Sequence, residues 1–262
     1  SINTCISYLC SMQIVLIGSG NVAFHLAKAF TEAQIPISQI FGRNTTELHK
    51  ISEQFSIPFS TETLVDADLY IISVSDSSIA EVSALIKNEN ALVAHTSGSV
   101  SREALSENYR KSVFYPLQTF SKSKNLDYSK IPFFIDAENE NDEEILKNLA
   151  SKISKNVMLA NDEKRKYIHL TAVFACNFVN HLYARAKEIS DSQGIPFDYF
   201  LPLIDETTQK IHELEPKLAQ TGPAIRNDEK VLKLHESLLT DEEKLKIYKT
   251  LNESIKKMYH FE

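Results

Sequence analysis

Between Met12 and about Leu159, short apolar runs take turns with longer stretches in which apolar positions recur at helical spacing. The short runs are Gln13–Ile17, Ile37–Phe41, Leu69–Val74, Leu92–His95, Ser112–Tyr115, Phe133–Asp136 and Val157–Leu159. Helical stretches between them include Val22–Ala33, Glu47–Phe55, Ile79–Lys87 and Asp142–Ser154. This alternation predicts right-handed βαβ units on a mostly parallel sheet. After Asn161 no strand pattern is found. One long helix is expected from about Asp162 to Ser192, closed by Gly194 and Pro196. Further helices are expected near Asp198–Glu215, Asp228–Leu238 and Asp241–Tyr259, the last opening on Thr240-Asp-Glu-Glu243 at capping-box spacing. An α/β domain over residues 12–160 is therefore predicted to precede an all-α domain over 161–262. Residues 1–11 lack the basic start of a signal peptide and read as an upstream extension, so Cys5 and Cys10 carry no functional weight.

Composition narrows the partners. The 262 residues are 43% hydrophobic, enough for one large core or two ordinary ones, and carry a formal net charge of −7. A chain without a basic footprint is a poor match for nucleic acid. No apolar run reaches membrane-spanning length. The third cysteine, Cys176, completes neither a metal spacing nor a disulfide framework, so no metal is expected and a cytoplasmic setting is the default.

The chemistry starts at Met12-Gln-Ile-Val-Leu-Ile-Gly-Ser-Gly-Asn-Val-Ala23. A strand, a glycine turn and a helix in that order give G-x-G-x-x-G/A the context it needs. Gly18 permits the tight turn, Gly20 lets a pyrophosphate approach the backbone, and Ala23 lets the helix lie close to the strand. With Ser19, Asn21 and Val22 these residues are the expected cofactor cradle, and the fold is expected to be a doubly wound Rossmann sheet. About 20 residues further on, an NAD site places an acid on the ribose. Here the strand ends Ile40-Phe-Gly-Arg-Asn-Thr-Thr46, with no acid at the tip. Arg43 suits a 2′-phosphate instead, so NADP(H) is predicted. Asn44 is either a second ligand or a cap paired with Glu47. Val74, Ser75 and Asp76 lie beyond a strand end along the cofactor path, although Asp76, Ser77 and Ser78 can each cap the next helix. His95, with Thr96 and Ser97, is expected at the nicotinamide end, or else is a hydrogen-bonded structural histidine.

These segments resemble a family. Gly18-Ser-Gly-Asn-Val-Ala23, Val74-Ser-Asp76, His95-Thr-Ser-Gly98, Tyr115-Pro-Leu-Gln-Thr-Phe120, Asn177-Phe-Val-Asn-His181 and Gly222-Pro-Ala-Ile-Arg-Asn-Asp228 occur in order. Together they are similar to Rossmann-like proteins with a DUF2520 C-terminal domain, the NADP oxidoreductase, coenzyme F420-dependent type. The resemblance implies a helical domain similar to that of 6-phosphogluconate dehydrogenase and pyrroline-5-carboxylate reductase relatives, and with it a homodimer. Members often carry His where this chain has Tyr115, so a phenol must take that role or the role is absent. Nothing in the motifs points to deazaflavin use.

On the long helix, His169, Val173, Cys176 and Asn180 form one stripe at about 100° per residue, with Asn177 beside it. Apolar residues on nearly every face mark this helix as buried. Related dehydrogenases use a Lys or Asn here, so Asn177 is the expected substrate-orienting residue, with His169 and Asn180 as weaker partners; all three also read as ordinary buried polar groups. Arg226 either clamps a substrate carboxylate or pairs with Asp228. The expected function is hydride transfer between nicotinamide and a small carbonyl or imine in an interdomain cleft, with His95, Tyr115 and Asn177 moving the proton or orienting the substrate. The alternatives are a dinucleotide-binding sensor or interaction module without robust turnover, and a structural dimer with a vestigial nucleotide domain.

Overall fold

The computed structural model describes residues 11–106 and 108–259. The expected upstream extension, Cys5 and Cys10 included, lies outside the described residues except for Ser11. Two compact units result, one ending at Ala175 and the other beginning at Cys176.

In the first unit eight strands form one sheet in the order β3-β2-β1-β4-β5-β6-β7-β8. They are β1 (Ile14–Ile17), β2 (Gln39–Phe41), β3 (Phe59–Ser60), β4 (Leu69–Ile72), β5 (Leu92–His95), β6 (Arg110–Pro116), β7 (Phe133–Ala137) and β8 (Val157–Leu159). β1 to β6 run parallel, β7 turns antiparallel to β6, and β8 follows β7. The helices are α1 (Asn21–Glu32), α2 (Thr45–Phe55), α3 (Ile79–Ser83), α4 (Glu140–Ser151) and α5 (Asp162–Ala172). The central strands are apolar throughout because both faces are covered. Ile14, Leu16, Ile40 and Ile71 pack with Leu26, Phe30 and Leu146 on one face. Val15, Ile17, Ile72 and Val93 pack with Ile79, Ile86 and Leu105 on the other. The chain runs outward from β1 to β3 on one side and from β4 to β6 on the other, which opens a crevice at the carboxyl ends of β1 and β4.

Two local expectations change. β3 is two residues long, too short to show a period. The helix expected over Ile79–Lys87 ends at Ser83, where the Leu85 and Ile86 N–H groups bond three residues back and tighten the chain into a turn.

A strap over residues 117–127 joins β6 to the turn at Tyr128–Lys130 and lies on α1. Its anchor is the buried His25. Ser121 O can only accept, so His25 donates from Nε2 at 2.7 Å, and its Nδ1 then accepts a hydrogen bond from the Tyr128 hydroxyl at 2.7 Å. Phe120 lies against the same imidazole, with ring centroids 5.3 Å apart.

The second unit holds α6 (Phe178–Ser192), α7 (Leu201–Glu213), α8 (Pro216–Ala219), α9 (Glu229–Leu238) and α10 (Glu242–Met258). The expected long helix is α5 and α6 joined by a π-helical segment, Val173–Asn177. It is not buried within the chain: Tyr167, Leu170, Phe174, Phe178 and Ile189 are exposed. Only Ser190, Ala224 and Leu232 are buried among the described residues of this unit. The cap of α10 is Asp241, which accepts the Lys244 N–H at 2.8 Å, rather than Thr240. Glu243 is thereby free to reach Arg185 Nη2 at 2.5 Å, and Lys244 pairs with Glu188 at 2.9 Å, so α10 binds α6.

Replacing His25 by Phe keeps a ring in place and leaves the Tyr128 hydroxyl and Ser121 carbonyl without their partner. We expect a loss of about 2 kcal/mol, seen as a drop of roughly 4–8 °C in melting temperature. A melting temperature within one degree of the parent would dismiss the anchor.

Candidate cofactor and active site

The glycine turn has the geometry its sequence demands. Gly18 has φ +128°, and a Cβ on it would stand 2.1 Å from the Ser73 carbonyl oxygen. Its N–H donates to Phe41 O at 2.8 Å, which ties the ends of β1 and β2 together. A Cβ on Gly20 would meet nothing within 4 Å, so the turn offers bare backbone to open space. Ala23 is fully buried. Gly20 caps α1 without a side chain, and no acid stands in the first turn. The first-turn N–H groups and the positive helix end are thus available to an anion. A cavity of about 650 Å³ begins here, lined by Gly18, Ser19, Gly20, Asn21 and Val22. Bare glycine backbone, an uncapped helix end and a roomy cavity fit a pyrophosphate.

Arg43 and Asn44 line the same cavity beyond the end of β2. Arg43 is exposed and makes no ion pair among the described residues. Asn44 caps α2, accepting the Glu47 N–H at 3.1 Å, so its side chain is committed to the helix. Glu47 stands in the first turn of α2, next to Asn44 but not itself on the cavity wall. Hydrogen bonds from Lys122 and Lys50 draw its pKa down to about 2. Lys122 also donates to Ser19 O at 2.7 Å. Sequence spacing missed both groups, since Lys122 lies 103 residues from Ser19.

At the other end, Val74, Ser75 and Asp76 line the cavity. Neither Ser75 nor Ser78 makes a side-chain cap. Asp76 instead accepts from Ser99 Oγ at 2.8 Å, and Ser75 Oγ donates to Ser78 Oγ at 2.9 Å. Thr96 and Ser97 reach the cavity, but Ser97 Oγ is taken up by the Ser99 and Val100 N–H groups at 3.2 and 3.1 Å. His95 is fully buried and does not line the cavity. Its Nδ1 accepts the Ser97 N–H at 3.1 Å, which leaves the proton on Nε2 facing Ser101 O at 3.2 Å. Burial, reinforced by Arg165, draws its pKa down to about 4, so it stays neutral and braces the turn.

Tyr115 and His169 meet on the cavity wall, the phenol oxygen 3.5 Å from Nδ1. A Cβ on Gly98 would stand 2.5 Å from Tyr115 Cζ and 2.9 Å from His169 Nδ1, so glycine is what lets the pair sit there. Burial pushes the Tyr115 phenol up, away from ionisation. α5 is fastened at its base. Arg165 is buried and donates to Val100 O at 2.6 Å and to Asp162 at 2.7 Å. Asp162 also takes hydrogen bonds from Ser101 Oγ and from the Arg102 N–H. Burial alone would raise Asp162, but these bonds overcome it and its pKa falls to about 2.

The stripe drawn along the long helix does not hold across Val173–Asn177, because a π turn bonds to the fifth residue and breaks the regular rotation. His169 belongs to the first unit, whereas Asn177 and Asn180 belong to the second and are exposed. Arg226 is exposed there too and does not pair with Asp228, which caps α9 by accepting the Val231 N–H at 3.3 Å. Among the described residues, no cluster of acids, histidines and cysteines is placed to hold a metal, and no helix is long and apolar enough to cross a membrane.

Comparison with known proteins adds a second line. The family model for NADP oxidoreductase, coenzyme F420-dependent, matches residues 13–98, and the domain of unknown function DUF2520 matches residues 131–255. A solved Bacteroides fragilis protein assigned as an NADP oxidoreductase is 43% identical, with 94% of this chain and 98% of that one covered and a TM-score of 0.88. A Thermotoga maritima protein is 20% identical, covering 94% and 99% with a TM-score of 0.81. A pyrroline-5-carboxylate reductase of Streptococcus pyogenes is 16% identical, covering 95% and 97% with a TM-score of 0.61. The latter two show likeness of fold alone. No curated relative matches.

Arg43→Asp should lower the preference for NADPH over NADH at least tenfold, read as the ratio of dissociation constants from nicotinamide fluorescence. An unchanged ratio would remove Arg43 from the cofactor site.

Proposed function

This chain belongs to the family that joins an NADP oxidoreductase, coenzyme F420-dependent module to DUF2520, and from that premise we propose that it moves a hydride between NADP(H) and a small carbonyl or imine. The observation that carries this reading is the Tyr115–His169 pair on the wall of the cavity that starts at the glycine turn. The Gly18–Val22 turn and the start of α1 take the cofactor phosphates, and Arg43 takes the 2′-phosphate. Once bound, the nicotinamide supplies or accepts the hydride, and the protein's part is positioning and the proton.

Reduction of a carbonyl or imine also needs a proton on its oxygen or nitrogen. Tyr115 keeps its phenol proton at neutral pH because burial raises its pKa, and it offers that proton to the substrate. His169 Nδ1 is within reach to restore it. Tyr115 therefore fills the place where relatives often carry His. His95 acts as a positioning residue for the turn that carries Gly98. Asn177 is the substrate-orienting group implied by the resemblance, with Asn180 and Arg226 as lesser candidates.

We also read the protein as a homodimer through its second unit. A unit that buries only three of its described residues has no closed core, and large exposed apolar side chains mark an association surface. Leu203 and Ile211 are exposed two turns apart on one face of α7.

Two measurements test these readings. NADPH absorbance should fall with at least one member of a panel of ketoacids, aldehydes and imines. With that substrate Tyr115→Phe should lower kcat by roughly 10²–10⁴-fold while NADPH affinity stays within about twofold. Tight NADPH binding without turnover across the panel would instead favour the sensor. In sedimentation equilibrium the protein should run at twice its chain mass of 29.7 kDa, and Leu203→Glu with Ile211→Glu should yield monomer or unfolded chain. A parent protein that is monomeric at micromolar concentration would defeat the dimer.

A further inference from the structure

Next to the cavity wall at Asn44 stands an acid that the tip of β2 lacks. Glu47 stands one turn into α2, directly bonded through its N–H to Asn44, which lines the cavity. A free carboxylate in this region would accept from ribose hydroxyls and repel a 2′-phosphate, the arrangement that favours NAD(H). Glu47 is not free. Lys122 Nζ donates to its Oε2 at 2.5 Å, and Lys50 Nζ to its Oε1 at 2.7 Å. The two lysines differ in kind. The Lys50 side chain is 66% exposed, three residues away on the same helix, and such pairs are weak. The Lys122 side chain is 30% exposed and comes from the strap, where Ser121 O is held by buried His25 and Phe120 lies on its ring. Lys122 Nζ also bonds to Ser19 O inside the glycine turn, so one ammonium spans the glycine turn and the first turn of α2. Arg43 on the cavity wall, with Lys50 and Lys122 bound to Glu47 behind it, sets three cations against one carboxylate, an excess that complements a phosphate carrying a charge of roughly −1.5 to −2.

We propose that Lys122 is a specificity-determining residue for the cofactor's 2′-phosphate. It withdraws Glu47 from the ribose and adds its own charge beside the glycine turn. The NADP preference is thus written in three places: the strand tip, the first turn of α2, and a strap distant in sequence. This inference rests on the NADP(H) reading above.

The test uses the full chain with four ligands: NADPH and NADH by nicotinamide fluorescence, 2′,5′-ADP and 5′-AMP by calorimetry. Lys122→Met should weaken NADPH and 2′,5′-ADP at least tenfold while NADH and 5′-AMP change less than about twofold or tighten. Adding Glu47→Gln to Lys122→Met should recover at least threefold of the lost NADPH affinity. Lys122→Arg, which keeps the charge, should hold the NADPH preference within about threefold and serves as the deciding variant if Lys122→Met does not fold. Equal loss for all four ligands would make Lys122 a structural tie, and no loss would make it a surface lysine; either overturns the proposal. Failure of Glu47→Gln to recover affinity overturns the part assigned to Glu47. A parent protein that binds NADPH no better than NADH would overturn the underlying cofactor reading instead, and is told apart before any variant is made.

Discussion

Everything at the site depends on the passage of the Gly18 backbone beneath the Ser73 carbonyl. Any Cβ there would lie 2.1 Å from that oxygen, in a backbone region that favours glycine. The contact lets the end of β1 stay paired with both β2 and β4 while the chain turns into α1. Because it does, the two halves of the sheet part at one crevice, and the helix end, the Arg43 tip and the Val74–Asp76 segment all face the same space. A side chain at residue 18 would not merely fill a pocket. It would push apart the strands whose ends define it.

The cavity is built differently at its two ends. At the Arg43 end the charges sit near solvent: Arg43 lines the cavity without an ion pair among the described residues, and just behind the lining Glu47 pairs with Lys50 and Lys122. On the wall at the other end, and buried behind it, the groups are kept neutral or fully bonded. His95 is buried without a charge, Tyr115 retains its proton, and Asp162 is saturated by Ser101, Arg102 and Arg165. Such a division suits a ligand with ionic phosphates at one end and a neutral reacting ring at the other. Dispersed exposed charge gives selectivity among phosphates, while neutral buried donors hold a proton at a defined place.

The sequence made the sheet legible because buried parallel strands read as unbroken apolar runs, as Ile14–Ile17 and Leu69–Ile72 do. The glycine turn was equally legible, since each glycine answers a local backbone requirement. What escaped is non-local. Lys122 reaches Ser19 only because His25 pins the strap, and no window of sequence contains all three. Pairing of Tyr115 with His169 joins β6 to α5 across 54 residues, and Gly98 reveals its purpose only under that pair. His95 was open to two readings, and the geometry favours the structural one because both ring nitrogens are spent on the backbone. The π segment at Val173–Asn177 carries no composition that marks it, so a helical wheel drawn through it loses phase. Caps failed by one position, as at Thr240 and Asp241, since neighbouring polar residues compete for the same N–H.

The reversal at β7 has a consequence for how the site is measured out. β7 and β8 run against β1 to β6, so the chain leaves β8 heading away from the cavity and α5 must climb back. Asp162 and Arg165 fasten the foot of that climb to Ser101 and Val100. His169 lies seven positions beyond Asp162, a rise of about 10 Å over two turns. Helix α5 is therefore a gauge of fixed length. Its residues are free to vary where they face solvent, but one residue gained or lost between foot and tip would swing His169 about 100° away from Tyr115 while leaving the sheet intact. Along this stretch the site is set by counting, and the composition matters less than the tally.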